Sequence, residues 1–318
     1  MKAKLLILSA LSAFTLSAAA QKPDSARAVL HYKFTHLRDT TQKDKPYTEN
    51  MELLLGSSAS VYKSYDRITQ MAAMRKQISE QMASGSGNIQ IKSGGVSSRA
   101  EVYQFPNENK MVRKENLIND YLIEEPFPVI NWKISSDTAT FGALHCQKAT
   151  AHFKGRDYIA WFCPDLPFRA GPWKLNGLPG LIVDAHDVKN EVIFKFDGIE
   201  EVTKAAKVDA GPDIQAPGGG KVMMFGMGDS NADPNLIAVP TTGIKTTEKE
   251  YLNLVDAMRK DPDAFLQSAM AGMRGPGGGD VHVLRNGEAA TPGGANIKMK
   301  VGPQPVINNP IELPEGKK

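Results

Sequence analysis

The chain has 318 residues, 41% hydrophobic, 7% aromatic and 23% charged, a globular composition long enough for one large core or two modest ones. Lys plus Arg (38) nearly balance Asp plus Glu (35), which argues against a nucleic-acid binder or a polybasic membrane-surface protein. Two cysteines exclude a disulfide-scaffolded miniprotein and any Cys-rich zinc or iron–sulfur module.

Residues 1–20 read as a secretory signal. Lys2 and Lys4 form a positive start, Leu5 through Leu16 an apolar stretch, and Ala18-Ala19-Ala20 a small-residue cleavage site. The stretch is too short for a membrane anchor and is broken by Ser9, Ser12, Thr15 and Ser17. Cleavage after Ala20 leaves Gln21 first and reduces the basic count to 36 against 35, a net charge of +1. No later segment is long and apolar enough to span a membrane, so an exported mature chain is expected, in the periplasm, secreted or associated with the outer membrane.

From there short alternating runs dominate. Residues 28–34 put Leu30, Tyr32 and Phe34 on one face of a strand, and 51–55 form the next. Over 66–83 the period changes: Ile68, Met71, Met74, Ile78 and Met82 fall three or four apart, the spacing of an amphipathic helix. Strand patterns resume at 100–105, 110–114, 117–124 and 129–135. A hairpin follows, 145–153 with 158–163, and then a second, 181–186 with 191–196, turning at Asp187-Val188-Lys189-Asn190. Alternation over 149–153 and 192–196 implies one buried face. Residues 211–234 and 273–296 are Gly-rich loops. Between them Thr246-Thr247-Glu248-Lys249-Glu250 opens a helix that runs to about Gly272, broken near Asp261-Pro262. The expectation is a mainly β, α+β fold: one curved antiparallel sheet or half-barrel with one or two packed helices.

The first hairpin places the cysteines. With Lys154-Gly155-Arg156-Asp157 as the turn, Phe153 pairs Tyr158, and Cys146 and Cys163 become diagonal neighbours. A structural disulfide suits an oxidising compartment. Two unpaired buried thiols, or a reactive Cys146 beside His145, are the alternatives.

Between the hairpins stand Gly171-Pro172-Trp173-Lys174-Leu175-Asn176 and Gly177-Leu178-Pro179-Gly180-Leu181-Ile182. Gly177 and Gly180 bracket a turn stiffened by Pro179, with Leu178, Leu181 and Ile182 pinning it to a core. This stretch resembles the signature of the GLPGLI family of exported Bacteroidota proteins. Cys146-Gln147-Lys148-Ala149-Thr150 and Asn309-Pro310-Ile311-Glu312-Leu313 also look like family segments. The resemblance covers about residues 28–313. It implies secretion, a single mostly antiparallel β domain over 21–318 with the Gly-rich stretches as insertions, and a bowl or half-barrel like those of lipoprotein carriers and of the N-terminal domain of some bacterial peptide-N-glycanases. It carries no established activity, so no catalytic residue is assigned.

Three functional readings remain. In the leading one a non-enzymatic half-barrel binds an apolar ligand or an envelope partner, with Trp132, Trp161, Phe162, Phe168 and Trp173 as lining candidates. The second is a secreted, metal-assisted hydrolase using Asp184, His186 and His145, which requires those side chains to converge. The third is copper handling by Met223, Met224 and Met227 with a nearby histidine; no other cofactor is expected.

Overall fold

The computed structural model describes residues 23–83, 97–117, 119–202, 233, 235–262, 264, 265, 268, 281–283, 295–297 and 306–315. The signal segment and the Met223, Met224, Met227 triad lie outside the described residues. So do the Gly-rich stretches, apart from Asp233 and two three-residue strands.

In chain order the elements are β1 (Asp24–Ser25), β2 (Ala28–His36), β3 (Tyr47–Leu55), β4 (Ser60–Ser64), α1 (Tyr65–Ala83), β5 (Glu101–Phe105), β6 (Lys110–Asn116) and β7 (Asp120–Pro126). Then come β8 (Lys133–Phe141), β9 (Leu144–Phe153), β10 (Arg156–Cys163), β11 (Leu181–Asp187) and β12 (Val192–Glu201). Last are β13 (Leu236–Ile237), β14 (Ile244–Thr246), α2 (Glu248–Lys260), β15 (Val281–Val283) and β16 (Ala295–Ile297). Twelve strands form one sheet in the order β14-β7-β6-β5-β4-β3-β2-β12-β11-β10-β9-β8. Every pairing in it is antiparallel except β14 on β7, so the sheet is mixed, and its two edge strands do not meet to close a barrel.

The sheet is strongly curved. The Trp173 carbonyl accepts from Gln104 Nε2 of β5 at 2.7 Å, while its ring lies 5.8 Å from that of Phe153 on β9. Those strands are seven places apart, about 34 Å on a flat sheet at the usual strand spacing. The mainly β, α+β half-barrel expected from the alternation is what forms.

Burial on β2 alternates. Leu30, Tyr32 and Phe34 face the trough, while Val29 turns the other way to join Leu54, Val61, Tyr103 and Val112 in a second cluster. That back cluster is closed by Ile237 of β13, which pairs with β1, and by Ala26 just after β1, with Val239 against it. The strands β2–β6 are thus buried on both faces rather than one, which explains the unbroken Met51–Leu55 run.

Helix α1 forms where the three-four spacing places it, started by Ser64 Oγ accepting from Arg67 N. Helix α2 carries the full capping box between Thr247 and Glu250 and stops at Asp261, before Pro262. The strand expected at 129–135 instead starts at Lys133 and runs through Ser135, Ser136 and Asp137, because Ile130 and Trp132 turn in against the core. The strand expected at 110–114 extends to Asn116 as β6, and the one expected at 117–124 starts only at Asp120, as β7.

The β9–β10 turn has two residues, not four. Lys154 (φ 51°) and Gly155 (φ 71°) are both left-handed, the signature of a type I′ turn, and Phe153 pairs Arg156. Arg156 therefore leaves the turn and becomes the first residue of β10, 4% exposed. The ladder ends at Phe162 opposite Gln147. Cys146 and Cys163 are free and buried, so the expected disulfide is absent. Burial pushes the Cys146 thiol up to about 12, and the Cys163 thiol adds to the shift.

The signature glycines do different work. Gly177 has φ +88°, and a methyl carbon added there would meet nothing nearer than Trp132 at 3.8 Å. At Gly180 such a carbon would lie 2.3 Å from the Cys163 carbonyl oxygen, so the two chain segments touch there. Gly180→Ala is expected to destabilise the fold by about 3 kcal/mol through backbone overlap, and Gly177→Ala by only about 1 kcal/mol from the left-handed strain. Urea unfolding of both variants checks the order, and equal losses would contradict it.

Candidate functional site

Residues 164–180 cross the trough as a plug. Trp173 is 8% exposed, Leu175 0% and Leu178 2%. The Trp173 ring stacks on Phe194 at 6.4 Å and 13°, and Phe194 stacks on Phe34 at 5.1 Å. Trp173 has φ 53°, a conformation an indole side chain adopts only when its surroundings over-determine it. Here the Gln104 bond and the stack hold it. Trp132 Nε1 donates to the Asn176 carbonyl at 2.7 Å within the plug, and Tyr32 Oη donates to the Ile182 carbonyl at 2.5 Å just past its end, where β11 begins.

Its charged anchor is Lys174, whose side chain is 2% exposed. The ammonium pairs with Glu125 of β7 at 2.8 Å and with Glu312 at 2.7 Å. Glu125 also faces Arg113, which meets Glu115 and Glu248, so the chain of charges runs from α2 through β6 and β7 to the plug. Burial alone would raise the Glu312 carboxyl, but the Lys174 hydrogen bond and charge, with Lys154 behind them, hold it below its usual range.

A second buried cation sits at one end of the trough. The Arg156 guanidinium pairs with Asp187 at 2.8 Å and Glu191 at 3.1 Å. It also donates to Asn309 Oδ1 (2.7 Å) and to the carbonyls of Pro310 (2.7 Å) and Ile311 (2.9 Å). Asp187 Oδ1 accepts from the backbone of Glu191 and Val192, which ties the β11–β12 turn to the same cluster. His36 Nε2 shares a hydrogen bond with the Asn309 carbonyl at 2.8 Å. Residues 308–315 therefore lie as a strap over the ends of β2, β12, β11 and β10.

The sequence candidates distribute differently. Phe162 and Trp173 are core residues, while Trp132, Trp161 and Phe168 are half-buried and pack against that core. Trp161 points away from Phe162, its neighbour on β10, and touches Phe141 instead. Asp184 and His186 are 3.9 Å apart, but Asp184 Oδ2 accepts from Phe196 N where β11 and β12 no longer pair, a structural role. His145 does not join them. Asp184 is opposite Trp161 and Trp161 opposite Lys148, and His145, three residues from Lys148 on β9, falls on the other face. Among the described residues no group of three or more His, Cys, Asp or Glu side chains could hold a metal ion.

Arg156, Lys174 and the Glu125–Glu312 pair were not singled out by sequence reasoning. The available signal was a lysine between Trp173 and Leu175 in an otherwise apolar stretch, and the Asn309–Leu313 segment already noted.

No family model matches this chain, and no curated protein does. Two structures of PNGF-II, in P21 and C2 space groups, are similar to it at TM-scores of 0.39 and 0.38 and 10% and 11% identity. The matches cover 58% and 56% of this chain and 30% and 28% of PNGF-II, so the chain spans less than a third of the structures it resembles.

The buried histidine gives the site a pH dependence. Burial, helped by the charges of Arg38 and Arg156, lowers His36 from 6.5 to about 4 against the opposing pull of the Asn309 carbonyl. The unfolded chain then binds more protons than the folded one between those values, so stability falls as pH drops from about 6.5 to about 4. His36→Gln should flatten that part of a urea-midpoint profile; an unchanged slope would remove His36 as its cause.

Proposed function

We propose that this is an exported, non-enzymatic envelope protein of the GLPGLI type, released by cleavage at about Ala20, that works by binding a partner protein on its surface. The observation that carries this reading is the plug. Of the aromatic side chains that could have lined a ligand bowl, Phe162 (0% exposed) and Trp173 (8%) are core beside Leu175 and Phe194, and Trp132, Trp161 and Phe168 pack half-buried against it. Between an apolar ligand and an envelope partner, a filled trough favours the partner. The hydrolase reading loses support because His145 stands away from Asp184 and His186, whose carboxylate partner is engaged with the backbone of Phe196.

The test is native mass spectrometry of the protein recovered from the periplasm, with and without mild cross-linking in the cell. The expected result is a mature mass beginning at Gln21, no retained lipid, and a cross-linked protein partner. A stoichiometric lipid or small apolar molecule on the recovered protein would overturn the reading in favour of a carrier.

A further inference from the structure

The strap is held unlike a piece of core. Of residues 306–315 only Asn309 is buried, and Ile311 alone packs against the main apolar cluster. Nearly everything else is polar recognition. Asn308 and Asn309 donate their backbone N–H groups to the Arg38 carbonyl at 3.1 and 3.0 Å, and Asn309 Nδ2 donates to the Leu37 carbonyl at 2.8 Å. Leu313 N donates to the Lys154 carbonyl at 3.0 Å. Glu312 meets Lys174 and Lys154, and Glu315 meets His152 Nε2 at 2.9 Å and Gly155 N at 3.0 Å. The three specific side chains, Asn309, Glu312 and Glu315, fall three apart, the period of a polyproline helix, which Pro310 and Pro314 favour.

The receiving surface is complete without the strap. Arg156 keeps Asp187 and Glu191, Lys174 keeps Glu125, and His152 keeps Asp157 at 2.7 Å. Lys154 is 40% exposed and needs no buried partner. Removing residues 308–315 therefore leaves no buried cation without a carboxylate, the situation that makes loss of an ordinary buried ion-pair partner so costly. The strap is also distant in sequence: residues 269–305, thirty-seven in all, separate it from the last described turn after α2.

We propose that the strand-end groove formed by His36, Lys154, Arg156 and Lys174 is a peptide-recognition site. It is occupied in cis by the chain's own strap and takes, in exchange, a partner segment of the same chemistry: Asn-Pro with carboxylates three and six residues after the asparagine. This deepens, and rests on, the surface-partner reading above. Charge complementarity selects the occupant. The groove presents Arg156, Lys174, Lys154 and His152 to two glutamates, and the fork of Arg156 to an asparagine side chain and two carbonyls.

The test uses the full chain carrying Asn309→Ala and Glu312→Ala, with a fluorescein-labelled peptide of sequence Val-Ile-Asn-Asn-Pro-Ile-Glu-Leu-Pro-Glu as probe. Fluorescence anisotropy should show the substituted chain binding the peptide at least about tenfold more tightly than the unsubstituted chain, whose own strap competes. A probe with the same two substitutions should bind neither. Equal binding by both chains, or none by either, overturns the proposal. So does loss of cooperative unfolding in the substituted chain, which would make the strap part of the core. Peptide capture is read without any cellular partner, so failure to recover a partner would count against the surface-partner reading alone.

Discussion

A lysine ammonium that is almost wholly withdrawn from water must keep a carboxylate, and Lys174 meets two from distant parts of the chain. Glu125 comes from the strand next to one edge of the sheet. Glu312 comes from the strap, which is fastened in turn to the β9–β10 turn near the other edge. Losing both would strand charge in a low-dielectric surrounding, a penalty far larger than the gain from one exposed ion pair, and Glu125, held in the sheet, is the partner that stays when the strap leaves. The pairing therefore sets where the plug sits, and the plug, through Trp173 and its stack on Phe194, sets how tightly twelve strands curl. The strain at Trp173 and the close approach at Gly180 fit the same account. Both are tolerated because the chain is held at each end of the turn, by Lys174 on one side and by Cys163 and Leu181 on the other.

On this view the signature is a structural device. Its conspicuous residues, the glycines and the tryptophan, shape a plug, and its inconspicuous one, Lys174, locks it. A site that acts on other molecules then has to be sought outside the trough. The strand ends, with a buried arginine, a buried histidine and an extended segment laid across them, carry the most specific chemistry among the described residues.

Much of this was legible in the chain. Alternation marked β2, β9, β10, β11 and β12, the three-four spacing marked α1, and Thr247 with Glu250 marked the start of α2. Each of these signals is local, arising from side chains within a few residues of one another. What was not legible depended on partners far along the chain. Arg156 reads as a turn residue until Lys154 is known to adopt a left-handed conformation, which nothing about a lysine announces. That two-residue difference moves every pairing in the hairpin. Double-sided burial of β2–β6 was hidden because the covering β1–β13 pair has only two residues per strand. Lys174 was hidden because its burial is decided by Glu125 and Glu312, 49 residues before it in one case and in the strap in the other.

The most direct measurement is a double-mutant cycle between Lys174 and Glu125, with Lys174→Met, Glu125→Gln and the combination compared by urea unfolding at neutral pH. If Lys174 is the lock that curls the sheet, the two losses will be strongly non-additive, with a coupling of about 1–3 kcal/mol, and the double variant will be little worse than either single one. Additive losses would mean that the carboxylate and the ammonium act independently, and that the curvature of the sheet has another cause.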